Sequence, residues 1–196
     1  QALHRIRERQ IKARTALINQ IRGLLMEYGI VIPQRASQVR HKLPFVLEDA
    51  ENGLTITARE WLQALAEELQ VLDQRLAATD HRIEQVFEAD EACQRLAQLG
   101  GIGPLTATAL VAAVGDATGF KNGRQFAAWL GLVPRQHSTG GKTTLLGITK
   151  GGHRYLRMLL IHGARAVLRV VARKTDAWSR WLQGVQVRRG INCASV

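Results

Sequence analysis

A polar, glycine-rich and cationic segment carries the side chains best suited to chemistry. It reads Arg-Gln-His-Ser-Thr-Gly-Gly-Lys-Thr-Thr over residues 135–144. A serine hydroxyl can attack phosphorus when a base takes its proton and cations neutralise the phosphate. Ser138 is therefore a candidate nucleophile, although the same residues also suit a polar loop whose serine and threonine side chains cap turns. The cations that could surround it are Arg135, Lys142, Lys150, Arg154 and Arg157.

Two common nucleotide-binding patterns fail in this chain. Gly141-Lys142-Thr143 resembles the end of a phosphate-binding P-loop, but the first glycine of that motif would fall on Gln136 and no buried strand precedes it. The dinucleotide fingerprint fails because its third glycine would fall on Thr106. A nucleoside triphosphatase and a dinucleotide enzyme are thus excluded.

A second glycine-rich stretch, residues 99–110, predicts a helix, a tight turn and another helix. Pro104 suits the first helical position, and Gly103 suits the N-cap. The pattern resembles the helix-hairpin-helix motif of DNA-handling proteins. Free N–H groups beside Gly101 and Gly103 could hold a phosphate oxygen, which positions DNA without reading its sequence. An ordinary connection between two core helices is the alternative.

Charge is distributed unevenly along the chain. The net charge is +11, and residues 101–196 carry fourteen Lys and Arg against two acidic residues, whereas residues 46–100 carry four against twelve. Such a basic half favours a polyanionic partner, with nucleic acid the default.

The two cysteines, Cys93 and Cys193, lie far apart without paired ligands, so we predict neither a disulfide scaffold nor a metal site in these residues. No apolar run is long enough for a membrane span.

The hydrophobic periodicity predicts an all-α fold. Residues 1–29 form one helix with a basic first half, which could lie on nucleic acid or face solvent. Residues 34–56 form a connection broken near Pro44. Residues 57–90 carry a heptad seam, including Leu62 and Leu69, that could pair with the first helix or with a second copy. We therefore predict a helical linker or coiled coil over residues 1–90 and a compact helical domain with a helix-hairpin-helix motif over residues 91–196.

The C-terminal half resembles a known family. The motifs Gly131-Leu-Val-Pro134-Arg, Ser138-Thr-Gly-Gly-Lys142, Gly147-Ile-Thr-Lys150 and Tyr155-Leu156-Arg157 are similar to the C-terminal domain of the insertion-sequence one-ten transposases. Motifs within residues 3–33 resemble the linker helices of that family. They are Leu3-His4-Arg5, Arg14-Thr-Ala-Leu-Ile-Asn19-Gln20 and Gly29-Ile-Val-Ile-Pro33. The resemblance therefore covers nearly the whole chain.

The resemblance implies an RNA-guided serine recombinase. In the family, an N-terminal RuvC-like domain binds divalent metal through four acidic residues, a C-terminal serine becomes joined to DNA, and a structured RNA guides the reaction. By position the serine is Ser138, with Thr139 as the alternative register. The RuvC-like domain is absent from these residues, so we expect Mg²⁺ there, no cofactor here, and no strand transfer from this piece alone.

We therefore predict a transposase that acts in DNA transposition and recombination, in the bacterial cytoplasm with the nucleoid. The expected partners are DNA, a guide RNA and a second copy joined through the coiled coil. The first alternative is a non-catalytic helix-hairpin-helix module that binds DNA or junctions. The second is an RNA-binding assembly protein held together by the heptad seam.

Overall fold

The computed structural model describes residues 1–196, and it is predominantly helical. This confirms the predicted all-α class, apart from one small sheet. No helix is long and apolar enough to cross a membrane. The elements in chain order are α1 (Ala2–Glu27), α2 (Ala36–Glu48), α3 (Ile56–Ala89), α4 (Glu91–Ala97), α5 (Pro104–Val114), a 3₁₀ turn (Ala117–Gly119), α6 (Gly123–Leu130), β1 (Pro134–Thr139), β2 (Lys142–Ile148), α7 (Arg154–Val171) and α8 (Ala177–Ala194).

The chain divides into two compact units. Unit 1 comprises Gln1–Arg82, and unit 2 comprises Ile83–Val196. The boundary falls within α3. The functional boundary that the sequence places between residues 90 and 91 stays a prediction.

The core of unit 1 is formed by apolar side chains of α1, α2 and α3. Ile21 and Leu25 of α1 and Val39 of α2 are completely buried, and they belong to one cluster with Leu62 and Leu69 of α3. Burying a large apolar side chain contributes about 1.5–3 kcal/mol. These two seam leucines are thus buried within the chain, and pairing with a second copy stays a prediction.

Ion pairs connect the basic helix α1 to the acidic helix α3 inside unit 1. Arg7 pairs with Asp80, and Arg14 Nη1 lies 3.4 Å from Asp73 Oδ1. The two pairs run in opposite chain directions, so α1 and α3 are antiparallel. Arg40 of α2 also donates to Asp73, with 2.7 Å between Nη2 and Oδ1. Part of the basic first helix is therefore neutralised by α3, a role for these arginines that the sequence did not suggest.

Helix α2 continues through Pro44, where the sequence predicts a break. A proline inside a helix removes one backbone hydrogen bond and crowds the preceding turn. Val39 and Leu43, exposed by 0% and 2%, lie before the proline on the buried side of α2. Their burial in the unit 1 core offsets the local cost of Pro44.

Helix α7 is central to unit 2. Leu156 and Leu159 near its start share a cluster with Leu110 of α5 and Leu130 of α6. Near its end, a second cluster joins it to α8 through three buried side chains. The N-termini of α4, α6, α7 and α8 are capped by side chains that accept backbone N–H groups, and three of these four caps are Asp or Asn, which are preferred at this position. These caps are Asp90, Asn122, His153 and Asp176.

The predicted polar loop after α6 is a two-stranded antiparallel β-hairpin. Ser138 lies opposite Thr143, and Thr139 lies opposite Lys142. Gly140 and Gly141 connect the strands with φ angles of +55° and +77°. Two consecutive positive φ angles suit the two-residue turn that matches strand twist, and glycine adopts them without strain. The sequence predicts a loop here, although Gly140-Gly141 with the β-branched Thr143 and Thr144 just beyond is a local pattern from which a hairpin could have been predicted.

Truncating the unit 1 core tests this packing. Ile21→Ala removes a side chain with 0% exposure and leaves a cavity, so we expect a loss of about 2–5 kcal/mol in the free energy of unfolding. Urea denaturation of the full chain, followed by circular dichroism, measures it. The control is Ile6→Ala, on the same helix with 43% exposure. Equal stability of the two variants would contradict the proposed core.

Candidate nucleic-acid interface

Ser138 lies on an exposed face of the β-hairpin. Side chains alternate between the two faces of a strand, so Gln136 and Ser138 share one face, with Thr143 opposite Ser138. The Oγ of Ser138 accepts a hydrogen bond of 2.9 Å from Nε2 of Gln136. The hydroxyl is therefore accessible and oriented by a neutral donor.

Lys142 belongs to the other face of the hairpin. It lies opposite Thr139, and His137 lies opposite Thr144 on that same face. The alternation thus groups Lys142 and His137 with Thr139 and separates them from Ser138. Ser138 and Thr139 are both exposed residues. The assignment of the nucleophile to Ser138 or to Thr139 stays a prediction.

The base of the hairpin is fixed by backbone contacts. Thr149 N donates to Val133 O at 2.9 Å, and Lys150 N donates to Gly131 O at 3.2 Å. Gly131 has a φ of +73° and lies so close to Gly151 that a methyl group there would overlap the Gly151 carbonyl oxygen. Glycine is required at this position for both its conformation and its size.

Arg157 binds both sides of this base. Its Nη1 donates to Leu130 O at 2.8 Å and to Gly151 O at 2.7 Å. The residue is only 9% exposed. The sequence groups Arg157 with the phosphate-binding cations, but the structure commits its guanidinium to two backbone carbonyls. Helical spacing alone does not distinguish it from its exposed neighbour Arg154.

The other predicted cations lie nearer the base of the hairpin than its tip. Arg135 falls at the strand irregularity between Pro134 and Gln136, and Lys150 and Arg154 follow β2. All three side chains are exposed. Ser138 is four residues beyond Pro134, which corresponds to roughly 13 Å along a strand. By position along the strands, these cations therefore lie toward the base of the hairpin, whereas Ser138 lies near its tip.

The predicted DNA-binding turn joins α4 to α5. Gly101 has a φ of +89°, and a methyl group there would lie 2.9 Å from the backbone carbon of Gly163 in α7. Gly103 is the N-cap of α5, and the space around it is open. Of the two predicted glycines, Gly101 packs against α7, whereas Gly103 faces outward with the free N–H groups of the α5 N-terminus. DNA binding by this turn stays a prediction.

Metal-binding and thiol chemistry have little support from these residues. No group of three or more His, Cys, Asp or Glu side chains is placed to hold a metal ion. The residues present therefore do not fit the Mg²⁺ that the family resemblance implies. Cys93 is buried in α4, and burial raises the pKa of its thiol, which makes it a poor nucleophile.

Comparisons with known proteins agree on one family. The sequence profile described as "Transposase IS116/IS110/IS902 family" matches residues 93–179. A Pseudomonas aeruginosa protein named "Probable family 20 transposase" is 49% identical over 197 residues, which cover 100% of this chain and 58% of that protein.

Two further relatives are transposases of named insertion sequences. The transposase for insertion sequence element IS1111A of Coxiella burnetii is 47% identical over 100% of this chain and 54% of its own length. The transposase for insertion sequence element IS1328 of Yersinia enterocolitica is 34% identical, over 97% of this chain and 56% of its own length. The chain thus spans somewhat more than half the length of each of these curated relatives.

Replacing Arg157 tests the base of the hairpin. Arg157→Met keeps a long side chain but leaves the Leu130 and Gly151 carbonyls without their donor, so we expect a loss of about 2–4 kcal/mol. Chemical denaturation measures it, and amide exchange at Thr149 and Lys150 reports the base directly. Arg154→Met, on an exposed part of the same helix, should change stability by less than about 0.5 kcal/mol. Equal losses in both variants would refute the assignment.

The two glycines of the α4–α5 turn should respond differently to alanine. Gly101→Ala forces a side chain into a positive-φ position against Gly163, so we expect destabilisation of about 2 kcal/mol or more. Gly103→Ala meets open space at an ordinary φ of −99° and should cost about 1 kcal/mol or less. Thermal unfolding compares the two. The reverse order would show that Gly101 does not pack closely against α7.

Proposed function

The chain belongs to the IS116/IS110/IS902 family of transposases, and on that premise we propose that it acts in DNA transposition with Ser138 as the phosphoryl acceptor. The observation that carries the proposal is an accessible serine hydroxyl on the β-hairpin of residues 134–148, here called the arm. Arg157 and two backbone hydrogen bonds fix the base of the arm. The arm extends from the strongly basic part of the chain. This arrangement suits a nucleophile presented to an extended polyanion.

The proposed step is a transesterification. Ser138 Oγ forms a bond to the scissile phosphorus, and the bond from phosphorus to the leaving deoxyribose oxygen breaks. The serine proton passes to a base, and the leaving oxygen gains a proton. The hydrogen bond from Gln136 orients Oγ and would help to stabilise negative charge on it. Attack by the displaced strand's hydroxyl on the phosphoserine linkage reverses these bonds and restores the serine.

DNA would be held by the exposed cations. Lys150, Arg154 and Arg135 lie toward the base of the arm, so they would bind backbone phosphates on either side of the reacting one. Lys142 would contact the DNA backbone near the tip of the hairpin. The α5 N-terminus at Gly103 adds neutral N–H donors. Each Lys or Arg that neutralises a phosphate makes binding more salt-sensitive, so the affinity should fall steeply with ionic strength.

The remaining partners are part of the same proposal. A guide RNA would select the sites, and a second copy would join through the α1–α3 surface. A RuvC-like domain would bring Mg²⁺, which the residues of this chain do not fit. Association with the nucleoid follows from DNA binding.

One observation favours a second candidate function, a non-catalytic DNA or junction clamp. Ser138 and Lys142 belong to opposite faces of the hairpin, and the hydrogen bond to Ser138 Oγ comes from the amide of Gln136 rather than from a base. A clamp requires only the basic surface and the turn. Its DNA binding would survive loss of the hydroxyl and would involve no covalent product.

A covalent trap distinguishes the two functions. This chain replaces the matching segment of the P. aeruginosa relative, and the chimera is incubated with nicked suicide DNA and Mg²⁺. We expect a protein–DNA adduct that resists denaturant, is abolished by Ser138→Ala and persists in Thr139→Ala. Binding of intact duplex by Ser138→Ala is the folding control.

Each other outcome has a definite meaning. Loss of the adduct in Thr139→Ala alone would move the nucleophile to the Lys142 face of the hairpin. Absence of any adduct from a chimera that still binds duplex and whose parent relative forms one would establish the clamp.

A further inference from the structure

Two tryptophans are exposed on the last helix. Trp178 and Trp181 of α8 are 51% and 60% exposed. Residues three apart on a helix are neighbours on its surface, so the two indole rings share one side of α8. Isolated exposed apolar residues are common, but two adjacent indoles form an aromatic surface that invites a partner.

The helix that carries this aromatic surface packs against the rest of unit 2. Leu182 of α8 is buried in one cluster with Leu168 and Val171 of α7, and Ser179 is completely buried. A methyl group at Gly100 would lie 3.7 Å from Cη2 of Trp178, so this ring also rests on the α4–α5 turn. Trp178 can therefore accept a partner without losing much side-chain freedom.

The sequence around the tryptophans is strongly basic. Residues 165–189 contain seven Lys and Arg and one acidic residue, Asp176, whose carboxylate caps α8 by accepting Ser179 N. Arg188 follows Trp181 by seven residues, and the two lie on the same side of α8. The charge favours a polyanion, and the indoles favour one with accessible flat faces. Unpaired nucleotides have both properties.

We propose that Trp178 and Trp181 form a stacking platform for unpaired bases of single-stranded DNA. The platform deepens the proposed function and rests on it, because strand exchange must separate base pairs near the protein. Single-stranded DNA is favoured as the occupant because Trp178 packs on the same turn whose exposed Gly103 faces duplex DNA in that proposal. A strand leaving the duplex at the turn would meet the indoles next.

Fluorescence binding experiments on the full chain test the platform. The probes are a twelve-nucleotide oligo-dT, a duplex of the same length, the matching oligo-U RNA and anionic phosphatidylserine vesicles. We expect oligo-dT to quench indole fluorescence, since stacked bases quench it. Trp178→Ala with Trp181→Ala should weaken oligo-dT binding by about tenfold or more, in line with roughly 1–3 kcal/mol per stacked base, and should change duplex binding less than about twofold.

Matched variants separate stacking from folding. Trp61→Ala removes another exposed tryptophan, in unit 1, and should leave oligo-dT binding unchanged. Trp181→Phe keeps an aromatic face and should restore most of the affinity that Trp181→Ala loses, which a merely structural role would not predict. Thermal unfolding establishes that each variant is folded.

Four results would overturn the platform. The first is oligo-dT binding that is unaffected in the folded double variant, and the second is a weakening of duplex binding as large as that of oligo-dT binding. The third is tryptophan-dependent binding that is tighter for oligo-U than for oligo-dT. The fourth is tryptophan-dependent binding to the vesicles. Because these measurements need no covalent step, they stand even if Ser138 forms no adduct. Conversely, an adduct that forms normally in the double variant, together with unchanged oligo-dT binding, would remove the platform alone.

Discussion

The guanidinium of Arg157 is the interaction on which the arrangement of unit 2 depends. It bonds the carbonyls of Leu130 and Gly151, so one side chain joins the end of α6, the return from β2 and the start of α7. Its charge strengthens both bonds in a site that water hardly reaches. Glycine at 131 lets the two segments approach closely enough for a single side chain to reach both. The direction in which the hairpin leaves the core follows from this junction.

Charge is used differently in the two units. In unit 1, Arg7 and Arg14 pair with Asp80 and Asp73, so part of the positive charge of α1 is neutralised within the chain. In unit 2, the only acidic side chains beyond residue 100 are Asp116 and Asp176, and both accept backbone N–H groups at helix starts. No acidic side chain beyond residue 100 forms an ion pair with the cations there, and Arg157 and Arg165 bond to backbone or amide oxygens instead. The sequence totals could not reveal this contrast, because they do not state which charges face each other.

The helices were largely predictable, since apolar spacing and cap residues are local signals. The heptad seam located α3, and Asn122 and Gly131 marked the two ends of α6. The hairpin was missed because its strands are exposed on both faces and lack the alternation of apolar residues that marks a strand. The sequence groups Arg157 with the phosphate-binding cations because its bonding partners are distant in sequence. The carbonyls that it binds belong to residues 130 and 151, and only the tertiary structure brings them together. The sequence thus names candidate residues whose roles stay predictions, whereas their grouping depends on tertiary structure.

The hairpin tip has consequences for how this protein can vary. Every side chain from 134 to 147 is exposed, so folding places few demands on most of these positions. The junction at its base tolerates almost no change. Selection at the tip can therefore act on its role, whatever that role is, with little effect on the stability of the fold. Related chains could diverge widely in this segment, exchange its residues or alter its length, and still fold to the same helical unit.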